Sequence, residues 1–229
     1  MSIATFVLAL GAAPVTDIRD GVEVWEACAQ TPDEKSVPVL IRARKSTKTY
    51  TNKVAEAFAT KKAQDLIIVE GELILDADGS NAILYASSVC DGHANQFLNN
   101  VTIVGRLSGK AKTAESGLSS SRSVAVNRYI RKDGQEKPEQ LTDWFKVRGY
   151  GYSKQRLIDV PKGSLVEVNG MLTLMTSVKG EGYVEIKCRK LKVHQGSKAT
   201  NDPAAGTTAS GYDHSAFTGE SDHMPPDWS

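Results

Sequence analysis

Little in this chain supports chemistry at a metal or a nucleophile. Its three cysteines, Cys28, Cys90 and Cys188, are odd in number and far apart. None sits at a metal-ligand spacing, so neither a disulfide framework nor a zinc site is implied. Buried free thiols in a reducing compartment are the expectation. The four histidines, His93, His194, His214 and His223, fall near module ends or in the last segment. No Ser/His/Asp, Cys/His or paired-carboxylate set assembles from neighbouring motifs, and a protein that is not an enzyme and needs no cofactor is expected. Long apolar runs are missing too, since a membrane span needs roughly 20 such residues. Ile3 to Ala13 is apolar, but it has no basic segment before it and ends in Ala-Pro-Val, so it is expected to be a strand and not a secretory leader. A cytoplasmic protein with no membrane partner follows as an expectation.

What the sequence does contain is apolar residues at 40% and charged ones at 24% over 229 positions, enough for one large domain or two of about 100 residues. The formal net charge of +1 averages over a strong asymmetry. Residues 1–97 hold 9 basic and 13 acidic side chains, residues 98–195 hold 18 and 9, and residues 196–229 hold 1 and 5. A basic middle between acidic flanks suits an anionic ligand in one place and something else in another.

Aromatic residues are scarce at 7%, so the place where they gather matters. Trp144 to Tyr150 reads Trp-Phe-Lys-Val-Arg-Gly-Tyr. A strand's period of two puts Phe145, Val147 and Gly149 on one face and Trp144, Lys146, Arg148 and Tyr150 on the other. The first is a core face. The second offers two flat π-surfaces and two cations, which fits a stackable polyanion such as a single-stranded nucleic acid. An ordinary solvent-facing strand has the same alternation, so the rest of the chain must decide.

The chain repeats itself. Ala4 to Leu10 (ATFVLAL) resembles Val101 to Leu107 (VTIVGRL), and Leu66 to Leu73 (LIIVEGEL) resembles Leu165 to Leu172 (LVEVNGML). In the second unit, strands are predicted at Val101–Leu107, Ser123–Arg128 (Val124 and Val126 inward), Trp144–Tyr150, Leu165–Leu174 and Tyr183–Val193. A short helix is predicted over Ser153–Val160, ended by Pro161 and Gly163, and its counterpart over Lys53–Lys62, with Val54, Ala55 and Phe58 inward. Gly109–Ser121 and Ile130–Leu141, with Asp133-Gly134 at a hairpin tip, are expected to be loops. The fold class is therefore all-β: two five-stranded OB-fold barrels in tandem, each with a short helix between its third and fourth strands. The modules are 1–97, a divergent barrel with a possible assembly role, and 98–195, the binding barrel. Residues 196–229 are expected to form a disordered acidic tail, because they cannot bury enough apolar surface to order themselves.

The second unit resembles the DNA-binding domain of the bacterial single-stranded DNA-binding protein family. The likeness rests on Asn99-Asn100-Val101-Thr102-Ile103-Val104-Gly105-Arg106-Leu107, on Thr142-Asp143-Trp144-Phe145 followed by Gly149-Tyr150-Gly151, and on Lys162-Gly163-Ser164-Leu165-Val166-Glu167-Val168-Asn169-Gly170. The resemblance implies an OB-fold that stacks unpaired bases on aromatics, four folds per assembly, and an acidic tail recruiting proteins of replication, recombination and repair. Trp144 and Tyr150 match stacking aromatics, and Tyr129 stands near a third. Arg106, Arg122, Arg128, Lys146 and Arg148 are assigned to phosphates. Where the family often has an aromatic near Met175 to Ser177, none is present. The first unit has no Thr-Asp-Trp string; its third strand, Val39–Arg44, carries Arg42 and Arg44, with Trp25 and Tyr50 nearby.

Some relatives carry two OB modules per chain and form homodimers, so a homodimer with four OB-folds is implied, with a homotetramer as the alternative. The tail's Asp222, Met224, Pro225, Pro226, Asp227 and Trp228 form a candidate partner-docking peptide. They depart from the family's usual closing acids, proline and terminal phenylalanine. Rival expectations are an OB-fold that binds RNA and an adaptor whose barrels bind proteins.

Overall fold

Apolar alternation is matched by burial along the strands that line the two cores, while the strand Val15–Arg19, with Val15 and Ile18 exposed, lies outside them. A computed structural model describes residues 1–19, 22–32, 36–45, 49–76, 79–130, 138–177 and 179–194. The first half contains β1 (Ser2–Leu10), β2 (Val15–Arg19), β3 (Val22–Gln30), β4 (Pro38–Arg44), α1 (Thr49–Ala59), β5 (Leu66–Leu75) and β6 (Ala82–Asp91). The second contains β7 (Asn99–Thr113), β8 (Ser119–Ile130), β9 (Glu139–Tyr150), α2 (Gly151–Asp159), β10 (Leu165–Thr176) and β11 (Gly182–Val193). No helix among the described residues is long and apolar enough to cross a membrane.

Strand pairing closes two equivalent circuits. In the first, β1 pairs with β5, β5 with β6, β6 runs parallel to β4, β4 pairs with β3, and β3 returns to β1. In the second, β7 pairs with β10, β10 with β11, β11 runs parallel to β9, β9 pairs with β8, and β8 returns to β7. Each is a barrel with a helix between its third and fourth main strands, the OB arrangement. The first barrel has an extra strand. β2 extends the line of β1 along β3, pairing Val15↔Glu26 to Arg19↔Val22, whereas β7 covers both stretches of β8 by itself. Pro14, which has no N–H to give a ladder, stands just before β2, where that line is interrupted.

The two cores are built from the same positions. Phe6, Leu10, Val39, Ile41, Phe58, Val69 and Leu84 are buried in the first half, and Ile103, Leu107, Phe145, Val147, Leu157, Val168 and Ile186 in the second. Both fourth strands are bulged where a glycine stands, at Glu70/Gly71 and at Asn169/Gly170. A Cβ on Gly71 would collide with the Tyr85 carbonyl, and one on Gly170 with the Lys187 carbonyl, so only glycine fits either bulge. Small cross-strand contacts repeat as well. Ser2 Oγ donates to Leu73 O at 2.6 Å, and Asn99 Nδ2 donates to Leu172 O at 2.9 Å. Thr5 Oγ1 donates to a Glu70 carboxylate oxygen at 3.5 Å, and Asn169 Nδ2 donates to Thr102 Oγ1 at 2.9 Å.

The barrels join through their own first strands. β1 and β7 pair antiparallel, Ser2↔Ile103 through Ala4↔Val101 to Phe6↔Asn99. Because Ala4 and Val101 occupy equivalent places in the repeat, a local two-fold relation passes between them. Flanking hydrogen bonds obey it: Val7 N donates to Leu98 O and Val104 N donates to Met1 O, both at 2.8 Å.

Several expectations need correction. Gly109–Ser121 is mostly strand, with only residues 114–118 turning between β7 and β8. α2 begins two residues earlier than expected, because Gly151, at φ 49°, turns the chain straight out of β9. α1 spans Thr49–Ala59 and stops short of Lys62; Thr60 Oγ1 donates back to Ala57 O and Lys61 N to Phe58 O. Cys28 and Cys90 are exposed and only Cys188 is buried, where burial pushes its thiol pKa up. Asp133-Gly134 and all of 195–229, including the docking-peptide residues, lie outside the described residues.

Asn99 stands just past the end of the β7–β10 ladder, whose last pair is Gly170↔Val101. Its side chain takes over both Leu172 backbone groups, accepting from Leu172 N at 2.8 Å as well as donating to Leu172 O. Asn99→Ala strands two buried backbone groups and is expected to cost about 2 kcal/mol. Urea unfolding checks this, and a change below about 0.5 kcal/mol, the range of ordinary surface substitutions, contradicts it.

Candidate nucleic-acid interface

β9 sorts its side chains as its alternation demands. Phe145 and Val147 are fully buried, while Trp144 is 54% and Tyr150 44% exposed. Tyr129, at the far end of β8, is 66% exposed and its hydroxyl donates to Gln140 Oε1 at 3.3 Å. From Trp144 to Tyr150 the outward residues of β9 face small side chains on β8: Ala125 opposite Trp144, Ser123 opposite Lys146, Ser121 opposite Arg148 and Ser119 opposite Tyr150. The outer face is therefore a shallow floor beside a line of aromatics.

Cations lie in cross-strand rows on the same face. Arg106 on β7 pairs with Ala125, which pairs with Trp144. Two rows further on the same face, Lys112, Ser121, Arg148 and Lys187 stand side by side on four strands. Lys146 Nζ lies 4.0 Å from the centre of the Tyr183 ring, and Lys187 Nζ lies 5.4 Å from that of Tyr150. Arg106 is exposed, with Nη1 donating to Gly163 O at 2.8 Å. Among the described residues no carboxylate pairs with Arg106, Lys112, Lys146 or Lys187.

Arg148 is different. Its Nε donates to Glu185 at 2.5 Å, Nη1 to Ser119 Oγ at 3.2 Å and Nη2 to Tyr183 Oη at 3.5 Å. The Glu185 hydrogen bond raises the Arg148 pKa. Glu185 is only 2% exposed, so removing Arg148 leaves a buried carboxylate without its counter-charge, which is costly. Arg148 thus fixes β9 against β11 and braces Tyr183.

Arg122 and Arg128 do not join the face. Val124 and Val126 point inward, and a period of two carries Arg122 and Arg128 to that same inner side. Arg122 is 5% exposed. Its Nη1 donates to Leu157 O at 2.9 Å and Val160 O at 2.5 Å, Nη2 to Gly109 O at 2.8 Å and Nε to Ser108 O at 3.3 Å. It ties α2 to the irregular stretch of β7 at Ser108 and Gly109, and burial lowers its pKa. Arg128 pairs with Asp143 at 2.7 Å, where burial holds the carboxyl above its usual pKa against the pull of the guanidinium. The alternation already present in the sequence is the signal that places both away from phosphate.

Four residues escaped the sequence reading. Tyr183 stands opposite Met175 in the β10–β11 register and puts an aromatic beside the stretch that carries none of its own. Lys112 lies in what had been expected to be a loop. Lys187 comes from β11, a strand whose cations could not be ordered without the parallel β9–β11 pairing. Tyr152, at the start of α2, is 78% exposed.

Arg122→Met is expected to destabilise the fold by about 3 kcal/mol, since it leaves four carbonyls without their donor. The salt dependence of nucleic-acid binding is expected to stay the same. Arg106→Ala should do the reverse, flattening the slope of log K against log salt by about 0.7 with little loss of stability. Melting curves and titrations at several salt concentrations separate the two.

Residues 98–194 match the profile of the single-strand binding protein family. No curated protein sequence matches the chain significantly. Among solved structures, the wild-type single-stranded DNA binding protein from Thermus aquaticus superposes with a TM-score of 0.56 at 14% identity, covering 92% of this chain and 97% of that one. A deletion mutant of the same protein gives 0.58 at 15% identity, covering 88% and 98%. At such identities the likeness is one of fold, and it extends over both barrels. It is through residues 98–194, the part bearing the exposed aromatic face, that the chain is similar to the single-strand binding protein family.

Proposed function

We propose that this protein binds single-stranded DNA without regard to sequence and holds it open for replication, recombination and repair. The observation that carries this reading is the outer face of β8, β9 and β11. There Trp144, Tyr150 and Tyr129 stand exposed beside a floor of small side chains, and cations with no carboxylate partner among the described residues lie on the same face. Duplex DNA hides its base faces in the stack, so a surface that captures those faces selects single strands. Arg106, Lys112, Lys146 and Lys187 supply the phosphate contacts, and Arg148 positions Tyr183 and the strand that bears the rings.

Residues 98–195 form the principal DNA-binding module and residues 1–97 its paired barrel. The acidic segment 196–229 recruits partner proteins through Asp222, Met224, Pro225, Pro226, Asp227 and Trp228. With two barrels already joined in one chain by β1 and β7, two chains make the four-barrel homodimer.

Trp144→Ala is expected to weaken oligo-dT binding about tenfold or more, from a stacking contribution of roughly 1 to 3 kcal/mol per base, without unfolding the protein. Unchanged affinity in a titration of the folded variant would remove this face from the proposal. Deleting residues 196–229 is expected to leave affinity the same or raise it, because an acidic segment competes for a basic face. Markedly weaker binding after the deletion contradicts the role given to the tail.

A further inference from the structure

The first barrel, whose third strand carries no aromatic, repeats the geometry of the binding face with its partners exchanged. In the second barrel the parallel strands set Arg148 beside Lys187, directly after the buried pair Val147 and Ile186. In the first, Arg42 stands beside Tyr85, directly after the buried pair Ile41 and Leu84. Two residues beyond each arginine comes the outward residue that meets the neighbouring strand. On β9 that residue is Tyr150, under Lys187 of β11. On β4 it is Arg44, whose guanidinium lies 4.3 Å from the centre of the Tyr85 ring of β6. Cation and ring have traded strands, and the pair remains in the same place.

A second correspondence is independent of the first. The second residue of each helix is an exposed tyrosine: Tyr152 at the start of α2 and Tyr50, 69% exposed, at the start of α1. Tyr50 Oη donates to Ser87 O at 3.3 Å, which brings it to the β6 segment just past Tyr85. A guanidinium plane over a phenol ring is itself a flat, cationic stacking surface, and bases stack on arginine planes as they do on aromatics.

Charge sets this strip apart from the other. Arg42 pairs with Glu26 at 2.6 Å and Lys45 with Glu23 at 2.5 Å. Of Arg42, Arg44 and Lys45, only Arg44 has no carboxylate partner among the described residues. We infer that the first barrel carries a second single-strand binding strip, formed by Arg44, Tyr85 and Tyr50, which holds bases by stacking and contributes little to phosphate neutralisation. The inference rests on the function proposed above for the second barrel.

The test uses the full chain and labelled oligo-dT of two lengths, about 10 nucleotides, within reach of one OB-fold, and about 40, enough for several. The double variant Arg44→Ala/Tyr85→Leu is expected to bind the short oligomer like wild type, since the more basic second barrel takes it. Binding of the long oligomer is expected to weaken about tenfold, with the salt slope reduced by no more than the roughly 0.7 of one phosphate. Tyr85→Phe, which keeps the ring, should retain long-oligomer affinity. Arg44→Ala alone, at the exposed end of β4, serves if the double variant melts early. Wild-type long-oligomer affinity in the Arg44 and Tyr85 variants overturns the inference, as does equal loss in Tyr85→Phe and Tyr85→Leu. Trp144→Ala run alongside keeps the readings apart: if it weakens both lengths while the first-barrel variants change nothing, only the second strip is lost. If it weakens neither, the function proposed for the second barrel fails first.

Discussion

The antiparallel pairing of β1 with β7 is the constraint from which the rest of the architecture follows. An antiparallel contact between equivalent strands is self-complementary, so each barrel offers the other the same backbone edge. Here the two edges belong to one chain. Met1 O and Leu98 O accept from Val104 N and Val7 N at equal distance, and Ala4 faces Val101 at the centre. Association that separate chains would achieve only by concentration is built in covalently. It also occupies the outer edges of both first strands, which would otherwise be open to pairing with other chains.

Once the barrels are fixed to each other, they are free to diverge on the faces that the junction leaves open. The interior has changed least: the glycine bulges at Gly71 and Gly170 and the contacts from Ser2 and Asn99 into the fourth strands recur. The outer faces have changed most. One has aromatics on its third strand, small residues opposite them and, among the described residues, four cations (Arg106, Lys112, Lys146 and Lys187) without acid partners. The other neutralises Arg42 and Lys45 with Glu26 and Glu23 and puts its ring on the fifth strand position. Packing restricts an interior position to shapes that fill it, whereas a solvent-facing position can exchange its side chain for another with little energetic consequence.

Arginine shows how differently one residue type is used. Arg106 stays on the surface with its charge available, Arg148 braces the outer face through Glu185, and Arg122 is a buried clamp between α2 and β7. A guanidinium has five donors in a rigid plane, so it can satisfy several carbonyls at once, as Arg122 does. Composition counts all three as basic. Their roles depend on which side of a strand they leave and on what that side meets.

The alternation of Trp144 to Tyr150, the duplicated strings, the helices between third and fourth strands and the inward Val54, Ala55 and Phe58 were all legible in the linear sequence, because short-range periodicity alone decides them. The same periodicity, carried two residues either way from Val124 and Val126, was sufficient to place Arg122 and Arg128 inward. What no local pattern contains is which strands become neighbours. The parallel β4–β6 and β9–β11 contacts bring Tyr85 to Arg44 and Lys187 to Tyr150, and the β1–β7 pairing makes two barrels one body. Those contacts join residues dozens of positions apart, so closure of the barrels, not propensity or spacing, determines which rings and cations share a surface.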